Sequence, residues 1–264
     1  MASIWLVAFI VDAGRYFLAA GAAYLVFWVW QRERLRHRAL FGASPDRRAM
    51  LRDVAWSCST VIIFSIFGVA VRYGGELGLL RRYESISEHG ALYFTLSILI
   101  LIVLQDAYFY WTHRAMHHPK LYRSFHRVHH LSTRPTPWSA YAFAPGEAAV
   151  HAAFVPLAWA VIPLHELAVF ALLLFMIARN VMGHLSIELM PAGFASHRFF
   201  GWFTTTTHHG LHHRRSRANF GLYFTIWDRV MRTTDADYHP SFERVASTAM
   251  DRQAGFRDHT NRGR

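Results

Sequence analysis

The chain has 264 residues, of which 53% are hydrophobic and 16% aromatic, and its net charge at neutral pH is +11. The apolar residues are concentrated in long blocks, which is typical of a membrane protein. The positive charge therefore indicates a cytoplasmic membrane surface and argues against a nucleic-acid partner. Because Cys58 is the one cysteine, an intrachain disulfide, a zinc ribbon and an iron–sulfur cluster are excluded.

Four apolar segments are predicted to cross the membrane as helices. The first three cover residues 4–30, 54–73 and 91–111. Each has about the ~20 residues that a helix needs to span the hydrocarbon core. The fourth segment, residues 148–182, contains Pro156 and Pro163. We expect these prolines to break it into a helical hairpin or two tilted half-spans.

The first segment carries two charges inside its apolar stretch. Asp12 and Arg15 are three residues apart, so they share a helix face and we expect them to pair. Two roles remain open for this pair. It is either a structural pair near the outer interface or facing the bundle, or a functional pair, since charges inside a membrane usually serve function.

The distribution of arginine predicts the orientation of the chain. Residues 31–53 are rich in arginine, whereas residues 72–90 balance three arginines with three glutamates. The positive-inside rule then places residues 31–53 in the cytoplasm, together with residues 112–147 and the C-terminal tail. Among 28 basic residues only Lys120 is lysine, which hints at a GC-rich bacterial gene. We therefore expect a multi-pass protein of a bacterial inner membrane rather than of the endoplasmic reticulum.

These features predict an all-α polytopic membrane protein with about four membrane-crossing segments and a histidine-rich helical cap on the cytoplasmic side. The predicted regions are 1–111 for the N-terminal spans, 112–240 for the histidine-rich domain with its membrane hairpin, and 241–264 for a polar tail.

Histidine is the residue that points to chemistry. Of 18 histidines, 14 lie between residues 113 and 213. The clusters are His113-Arg-Ala-Met-His117-His118, His126-Arg-Val-His129-His130 and His208-His209-Gly-Leu-His212-His213, with His184 between the last two. On a helix, His113 and His117 would share a face and reach one metal, and each H-x-x-H-H cluster would form one stripe. So many imidazoles without a metal would compete for protons near neutral pH, so the sequence predicts a metal site.

The number of histidines is larger than one metal requires. A tetrahedral zinc needs four ligands, whereas nine well-placed histidines fit two metals that keep open positions. Imidazole binds zinc, copper, iron and nickel, so the spacing leaves the identity of the metals open.

Two carboxylates are spaced to support the histidines. Asp106 precedes His113 by two helical turns, and Glu188 follows His184 by one turn. A ligating histidine usually donates its second ring N–H to such a carboxylate. We expect Asp106 to accept in this way and Glu188 to act as acceptor or ligand, with an ordinary interfacial carboxylate as the alternative for each. The remaining histidines are expected to lie outside the site, with His151 left open.

The clusters resemble the signature of the fatty acid hydroxylase/sterol desaturase superfamily. The resemblance runs from about residue 106 to 234, through the H-x-x-x-H, H-x-x-H-H and H-x-x-H-H series. Thr136-Pro137-Trp-Ser-Ala-Tyr-Ala-Phe143 and Asn219-Phe-Gly-Leu-Tyr-Phe-Thr-Ile-Trp227-Asp228-Arg are most similar to the sterol C5-desaturase (lathosterol oxidase) branch.

The resemblance implies a set of metal ligands and a reaction. The implied ligands are His113, His117, His126, His129, His130, His184, His209, His212 and His213. It also implies two iron ions (with zinc as an alternative occupant after purification), O2 as the oxidant, and a lipid substrate drawn from the bilayer. Electrons would come from an external donor of the cytochrome b5 or ferredoxin type, since the chain has no dinucleotide or haem motif.

Several alternatives remain open at this point. A non-oxidative membrane protein that binds haem or metal is one, although doubled clusters are unlike axial haem ligation. A zinc hydrolase would need a general-base carboxylate, as in H-E-x-x-H. Within the oxygenases, hydroxylation and desaturation of a sterol, a fatty acyl chain, a carotenoid or another lipid are all compatible with the spacing. The aromatic residues Trp138, Tyr141, Phe143, Phe199, Phe200 and Trp202 line either a substrate entrance or, more simply, an interfacial belt.

Overall fold

The chain folds into helices joined by short loops. The computed structural model describes residues 2–42 and 46–247, and within them β-structure is limited to isolated bridges. The α-helices are α1 (Ala2–Ala23), α2 (Arg32–Leu35), α3 (Arg47–Glu76), α4 (Gly90–Met116), α5 (Pro119–Phe125), α6 (Pro145–Val161), α7 (Glu166–Gly183), α8 (Thr206–Arg215), α9 (Ile226–Val230) and α10 (Tyr238–Ala246). Helix α1 continues as a π-helix, Tyr24–Trp30. The predicted all-α class is confirmed.

Four helical segments are long and apolar enough to cross a membrane. They are Ala2–Trp30, Arg47–Glu76, Gly90–Met116 and Glu166–Gly183. Their outer surfaces expose large apolar side chains, such as Leu18 at 75% and Leu92 at 74% of the full side-chain area. An apolar surface of this extent requires a lipid environment. The prediction of about four spans is therefore confirmed.

The proline-containing region forms a hairpin of two continuous helices rather than two half-spans. Pro156 lies inside α6 and does not end it, which differs from the predicted break. Pro163 lies in the turn before α7. This turn is fixed to the loop after α3, because Leu164 N–H donates to the carbonyl of Arg81 at 2.9 Å and Arg81 N–H donates to that of Trp159 at 3.0 Å. A proline inside a membrane helix is tolerated where neighbouring groups satisfy the carbonyl that its missing N–H leaves free.

The membrane helices pack around aromatic and small residues. The ring of Tyr16 on α1 stacks on that of Tyr141, with centroids 5.4 Å apart, and Phe64 on α3 meets Tyr141 edge to face. The Tyr16 hydroxyl donates to the carbonyl of Trp138 at 2.8 Å. These contacts seat the segment Pro137–Tyr141, a 3-10 helix, inside the bundle.

A buried carboxylate ties the cap to the bundle. Asp53 near the start of α3 is 3% exposed. Its Oδ2 accepts from the hydroxyls of Ser132 and Ser139, each at 2.7 Å. The chain that follows the second histidine cluster is thus fixed to a membrane helix.

The cap has its own small core around α8 and α10. Leu211, Tyr238 and Phe242 pack together there, and Phe242 is fully buried. The predicted boundary at residue 240 falls inside α10, so the packed cap continues to Ala246. Residues 248–264 of the predicted tail lie outside the described residues, and the predicted division into regions stays a prediction.

Candidate metal centre

The first cluster is placed by the end of helix α4. His113 lies in the last turn of α4 and His117 is the residue that ends it. Their rings meet at a centroid distance of 5.1 Å. The helical spacing therefore brings both imidazoles to one place, as expected from residues four apart.

The second cluster does not lie on a regular helix. His126 ends α5, and His129 and His130 start a 3-10 turn. The rings of His129 and His130 are perpendicular, at an interplanar angle of 90°. The prediction that three imidazoles form one stripe is therefore wrong for this cluster.

The imidazoles assemble into two groups that divide each H-x-x-H-H cluster. The ligand nitrogens of each group all lie within 4.8 Å of one another. The five-histidine group contains His113, His117, His126, His130 and His212, and the four-histidine group contains His129, His184, His209 and His213. All nine histidines of the predicted set are brought together, and their role as ligands stays a prediction.

In the five-histidine group the Nε2 atoms converge on a common point. The Nε2 atoms of His113 and His126 are 2.9 Å apart, and that of His212 is 3.1 Å from His130 and 3.2 Å from His117. Metal–imidazole bonds of about 2 Å place neighbouring ligand nitrogens at about 3 Å. These separations fit one metal ion at the centre.

The four-histidine group is equally tight. His184, which directly follows α7, has its Nε2 3.3 Å from that of His129, 3.1 Å from His209 and 3.2 Å from His213. The two groups are in contact. His129 and His130 are consecutive residues that belong to different groups, and the ring centroids of His130 and His213 are 5.1 Å apart. Two metal positions would therefore be adjacent.

Hydrogen bonds on the far side of the rings fix several tautomers. Nδ1 of His113 donates to the carbonyl of Phe220 at 2.8 Å, that of His212 to Ala218 at 2.7 Å, and that of His184 to Asn180 at 2.7 Å. A proton on Nδ1 leaves the Nε2 lone pair free for a metal. The carbonyl acceptors thus orient these rings toward the centre of each group.

The electrostatics of the site favour the neutral form of histidine. Burial lowers the pKa of His130 and of His184 to about 4. Burial, together with the nearby His130, lowers the pKa of His117 to about 3. Neutral imidazole is the form that ligates metals, so the site is poised for metal near neutral pH.

An apolar cavity lies between the membrane helices, and residues of its wall contact both groups. It has a volume of about 180 Å³ and is lined by residues of α1, α3, α4, α6 and α7. Two of its lining rings reach the histidines. The Phe109 ring is 4.8 Å from that of His113, and the Phe143 ring is 5.2 Å from that of His129. One phenylalanine ring therefore separates the cavity from an imidazole of each group.

The comparisons with known proteins agree with this geometry. The family model described as fatty acid hydroxylase matches residues 98–233, which include all nine histidines. The chain belongs to the fatty acid hydroxylase family. Among relatives of this family member is the lathosterol oxidase of Rattus norvegicus, 26% identical over 218 residues, which are 81% of this chain and 69% of the relative. A Delta(7)-sterol 5(6)-desaturase of Aspergillus fumigatus is 30% identical over 230 residues, 80% of this chain and 68% of the relative. No solved structure matches.

Two carboxylates of the hydroxylase-family site escaped the sequence analysis. Glu147, at the start of α6, lies with its Oε1 2.7 Å from Nδ1 of His126. Asp228 accepts from the N–H groups of Phe220 at 2.9 Å and Gly221 at 2.8 Å. It therefore holds the loop whose carbonyls orient His113 and His212. In the sequence, Glu147 could have been found as a single acidic residue next to an apolar segment, and Asp228 as part of the Trp227-Asp228 pair.

The two carboxylates that the sequence analysis selected have other partners in this family member. Oδ1 of Asp106 accepts from the N–H groups of Tyr223 at 2.8 Å and Phe224 at 3.2 Å, whereas His113 uses a carbonyl instead. Glu188 accepts from Thr207 N–H at 2.9 Å and from its hydroxyl at 2.6 Å, at the start of α8. Neither joins a metal group among the described residues. Each fixes backbone near the site, and a catalytic role for either stays a prediction.

The remaining histidines of this protein make local contacts or lie outside the two metal groups. His118, His165 and His197 accept hydrogen bonds from nearby backbone N–H groups at helix or turn starts. Nε2 of His208 lies 3.2 Å from Oδ2 of Asp228. His151, which the sequence left open, lines the cavity and stacks on Phe109 with centroids 5.2 Å apart.

The aromatic residues for which the sequence left two roles open lie in different places, and those roles stay predictions. Tyr141 and Phe143 line the cavity of the family member. Phe199, Phe200 and Trp202 are exposed, at 63%, 45% and 42% of the full area. Whether an aromatic ring lines the cavity or is exposed therefore depends on where it lies in the helix bundle and not on its residue type.

Proposed function

We propose that this membrane protein is a non-haem di-iron oxidoreductase that uses O2 to hydroxylate or desaturate a lipid C–H bond. Family membership supports oxidation of a lipid. The observation that carries the finer proposal is the contact of one apolar cavity with both histidine groups, through Phe109 and Phe143. A lipid in that cavity would present a C–H bond to both metal positions.

The donor set fits two iron ions. The five-histidine group would hold one ion and the four-histidine group the other, each through neutral imidazole nitrogens. When bound, the two ions with O2 and two electrons supply the oxidant that removes hydrogen from an unactivated carbon. No carboxylate lies in either group within the described part of the chain, and the sequence contains no H-E-x-x-H motif.

The residues of the chain do the positioning. Glu147 and the carbonyls of Phe220, Ala218 and Asn180 hold ligand rings in one orientation. The apolar walls of the cavity orient a hydrocarbon and exclude water from the place where it would be oxidised. The exclusion of water would also limit hydrolysis and proton leakage at the site.

The geometry favours this proposal over a haem protein. Five ligand nitrogens converge within 4.8 Å in one group and four in the other. A haem iron uses one or two axial histidines and needs space for a flat macrocycle between them. Rings packed from several directions, such as His113, His117 and His212 at centroid distances of 4.5 to 5.1 Å, leave no plane for a macrocycle.

The partners and location belong to the same proposal. Electrons would come from a separate donor of the cytochrome b5 or ferredoxin type. The arginine-rich loops would place the histidine cap on the cytoplasmic face, in a bacterial inner membrane. Substrate would enter from the bilayer through the cavity between the helices.

The test begins with metal content. The protein is purified in detergent, and its metals are measured by plasma mass spectrometry beside its optical spectrum. Two irons per chain without a haem band are the expected result, and one of the two should be lost in His126→Ala/His212→Ala, because both residues belong to the five-histidine group. The iron-loaded protein is then given a reductant, O2 and lipid extracts, and products are sought by mass spectrometry as added oxygen or lost hydrogen. A haem band, no metal, or an iron-loaded protein that oxidises no lipid would overturn the proposal.

A further inference from the structure

The wall of the apolar cavity contains a buried amide that no described residue satisfies. Gln105 on α4 lines the cavity and is fully buried. Neither its Nε2 nor its Oε1 has a hydrogen-bond partner among the described residues. Buried polar groups are almost always paired, because leaving them unpaired is costly. An unpaired amide on a cavity wall indicates a ligand that completes it.

A second polar group on the same wall is also unpaired. Tyr223 lines the cavity and is fully buried, and its hydroxyl has no partner among the described residues. Its backbone N–H is held by Asp106, the residue next to Gln105. The backbone that carries Tyr223 is therefore joined to helix α4 at the residue next to Gln105.

The Gln105 amide lies on the same face of α4 as His113 of the metal centre. Gln105, Phe109 and His113 follow each other at intervals of one helical turn on α4. Gln105 and His113 are thus separated by about 12 Å along the helix axis, from eight residues at a rise of ~1.5 Å. Phe109 lies between them and contacts the His113 ring. A ligand bound at Gln105 would therefore extend along the cavity toward the histidines.

The charge of the cavity indicates which kind of polar group a bound ligand would carry. Its two charged lining residues, Asp12 and Arg15, form an ion pair with each other through one guanidinium nitrogen, as the sequence predicted, and the other two nitrogens of Arg15 have no partner among the described residues. The cavity therefore has no net positive charge to offset a buried carboxylate or phosphate, which would be costly to desolvate. The Gln105 amide can donate through its NH2 group and accept at its oxygen, and a hydroxyl both accepts and donates. A neutral hydroxyl matches Gln105 better than an anion does.

We propose that Gln105, with Tyr223, forms a polar subsite inside the apolar cavity that binds a hydroxyl group of a neutral lipid. This inference rests on the proposed function, because it takes the cavity to be the substrate site. It makes Gln105 a specificity-determining residue that selects hydroxylated lipids over hydrocarbons and fatty acids. The subsite would also position the hydrocarbon part of the lipid that extends toward the histidines.

The test measures binding and needs no turnover, so it is separate from the test of the oxidation chemistry. The full chain in detergent is titrated with matched lipids and the complexes are counted by native mass spectrometry. The pairs are cholesterol against cholestane, and oleyl alcohol against cis-9-octadecene, with oleate as the anionic probe. We expect an alcohol of at least one pair to bind about tenfold or more tightly than its hydrocarbon, the scale of one or two buried hydrogen bonds.

Variants identify the residue responsible. Gln105→Leu should reduce that preference to less than about threefold, and Tyr223→Phe should reduce it partly. The matched control is Ser97→Ala, on the same helix, whose hydroxyl is buried but donates to the carbonyl of Phe94 at 2.7 Å. The control should keep the full preference. Because Gln105→Leu removes an unpaired polar group, the ligand-free variant should melt at or above the wild-type temperature, whereas a structural role would lower its Tm.

Several results would overturn the subsite. These are equal binding of alcohol and hydrocarbon by the wild type, an unchanged preference in Gln105→Leu, or tighter binding of oleate than of oleyl alcohol. Failure of every probe to bind would overturn it as well. A protein that contains no iron but still shows the Gln105-dependent preference would support the subsite while overturning the oxidation chemistry.

Discussion

Nδ1 of His126 lies 2.7 Å from Oε1 of Glu147, and both side chains are only 1% exposed. The two residues come from different elements, since His126 ends α5 and Glu147 lies in the first turn of α6. A carboxylate in this position orients the ring and increases the basicity of the opposite nitrogen, which faces the five-histidine group. Glu147 therefore links the membrane hairpin to the metal centre.

Loss of this carboxylate should weaken metal binding. We expect Glu147→Leu to lower metal affinity about 10–100-fold, the usual effect of removing such a partner. Glu147→Gln should lower it less, because the amide oxygen still accepts from Nδ1–H. The measurement is retention of iron against increasing chelator. Glu166→Gln is the control, since Glu166 is exposed and pairs with Arg82 at 3.0 Å away from the histidines. Equal retention by Glu147→Leu and wild type would contradict this role.

The division of neighbouring histidines between two groups predicts which double variants lose which ion. His129→Ala/His209→Ala removes two ligands of one group, so one of two metal ions should be lost. His117→Ala/His130→Ala should remove the other. His130→Ala/His209→Ala takes one ligand from each group and should weaken both ions. Metal per chain is measured by plasma mass spectrometry, with His118→Ala as the control. If the cross-group variant lost one ion cleanly, the assignment of ligands to groups would be wrong.

The loop that orients His113 and His212 depends on a glycine. A Cβ at Gly221 would lie 2.5 Å from the carbonyl oxygen of Phe224 and 2.9 Å from Oδ2 of Asp228. Gly221→Ala should therefore displace the loop, at a cost of about 1–3 kcal/mol, and lower the metal content. Gly75→Ala is the control, because a Cβ there meets nothing within 4 Å and alanine favours a helix. The Tm in detergent and the bound iron are compared, and an unchanged Tm in Gly221→Ala would refute the prediction.

The buried histidines predict that acid destabilises the metal-free protein. The folded-state pKa of His117 is about 3 and those of His130 and His184 about 4, below the value of 6.5 for an unfolded chain. The unfolded state therefore takes up protons first, and stability falls as pH decreases from about 6.5 toward 4. The slope approaches ~1.4 kcal/mol per pH unit for each such histidine. Chelator-treated protein is melted across this range, with iron-loaded protein as the comparison. A Tm that is flat or rises toward acid would refute it.

Local spacing predicted much of this protein correctly. The long apolar blocks identified the membrane helices, because a span needs a fixed length of apolar residues. The i, i+3 spacing predicted the ion pair of Asp12 with Arg15. The spacing of His113 and His117 placed both rings together at the end of α4. Each of these predictions depends on the geometry of one helix, which the sequence carries directly.

The tertiary structure decided which residues meet across the chain. His129 and His130 are adjacent in sequence but enter different groups, and the same is true of His212 and His213 on the regular helix α8. His126 meets Glu147 although 21 residues separate them. Asp106 holds the backbone of Tyr223 and not an imidazole. The sequence alone determined the spans and the histidine-rich character, since both follow from local composition and period. The two groups, their supporting acceptors and the cavity arise only where separate helices and loops pack against one another, and no local pattern encodes those contacts.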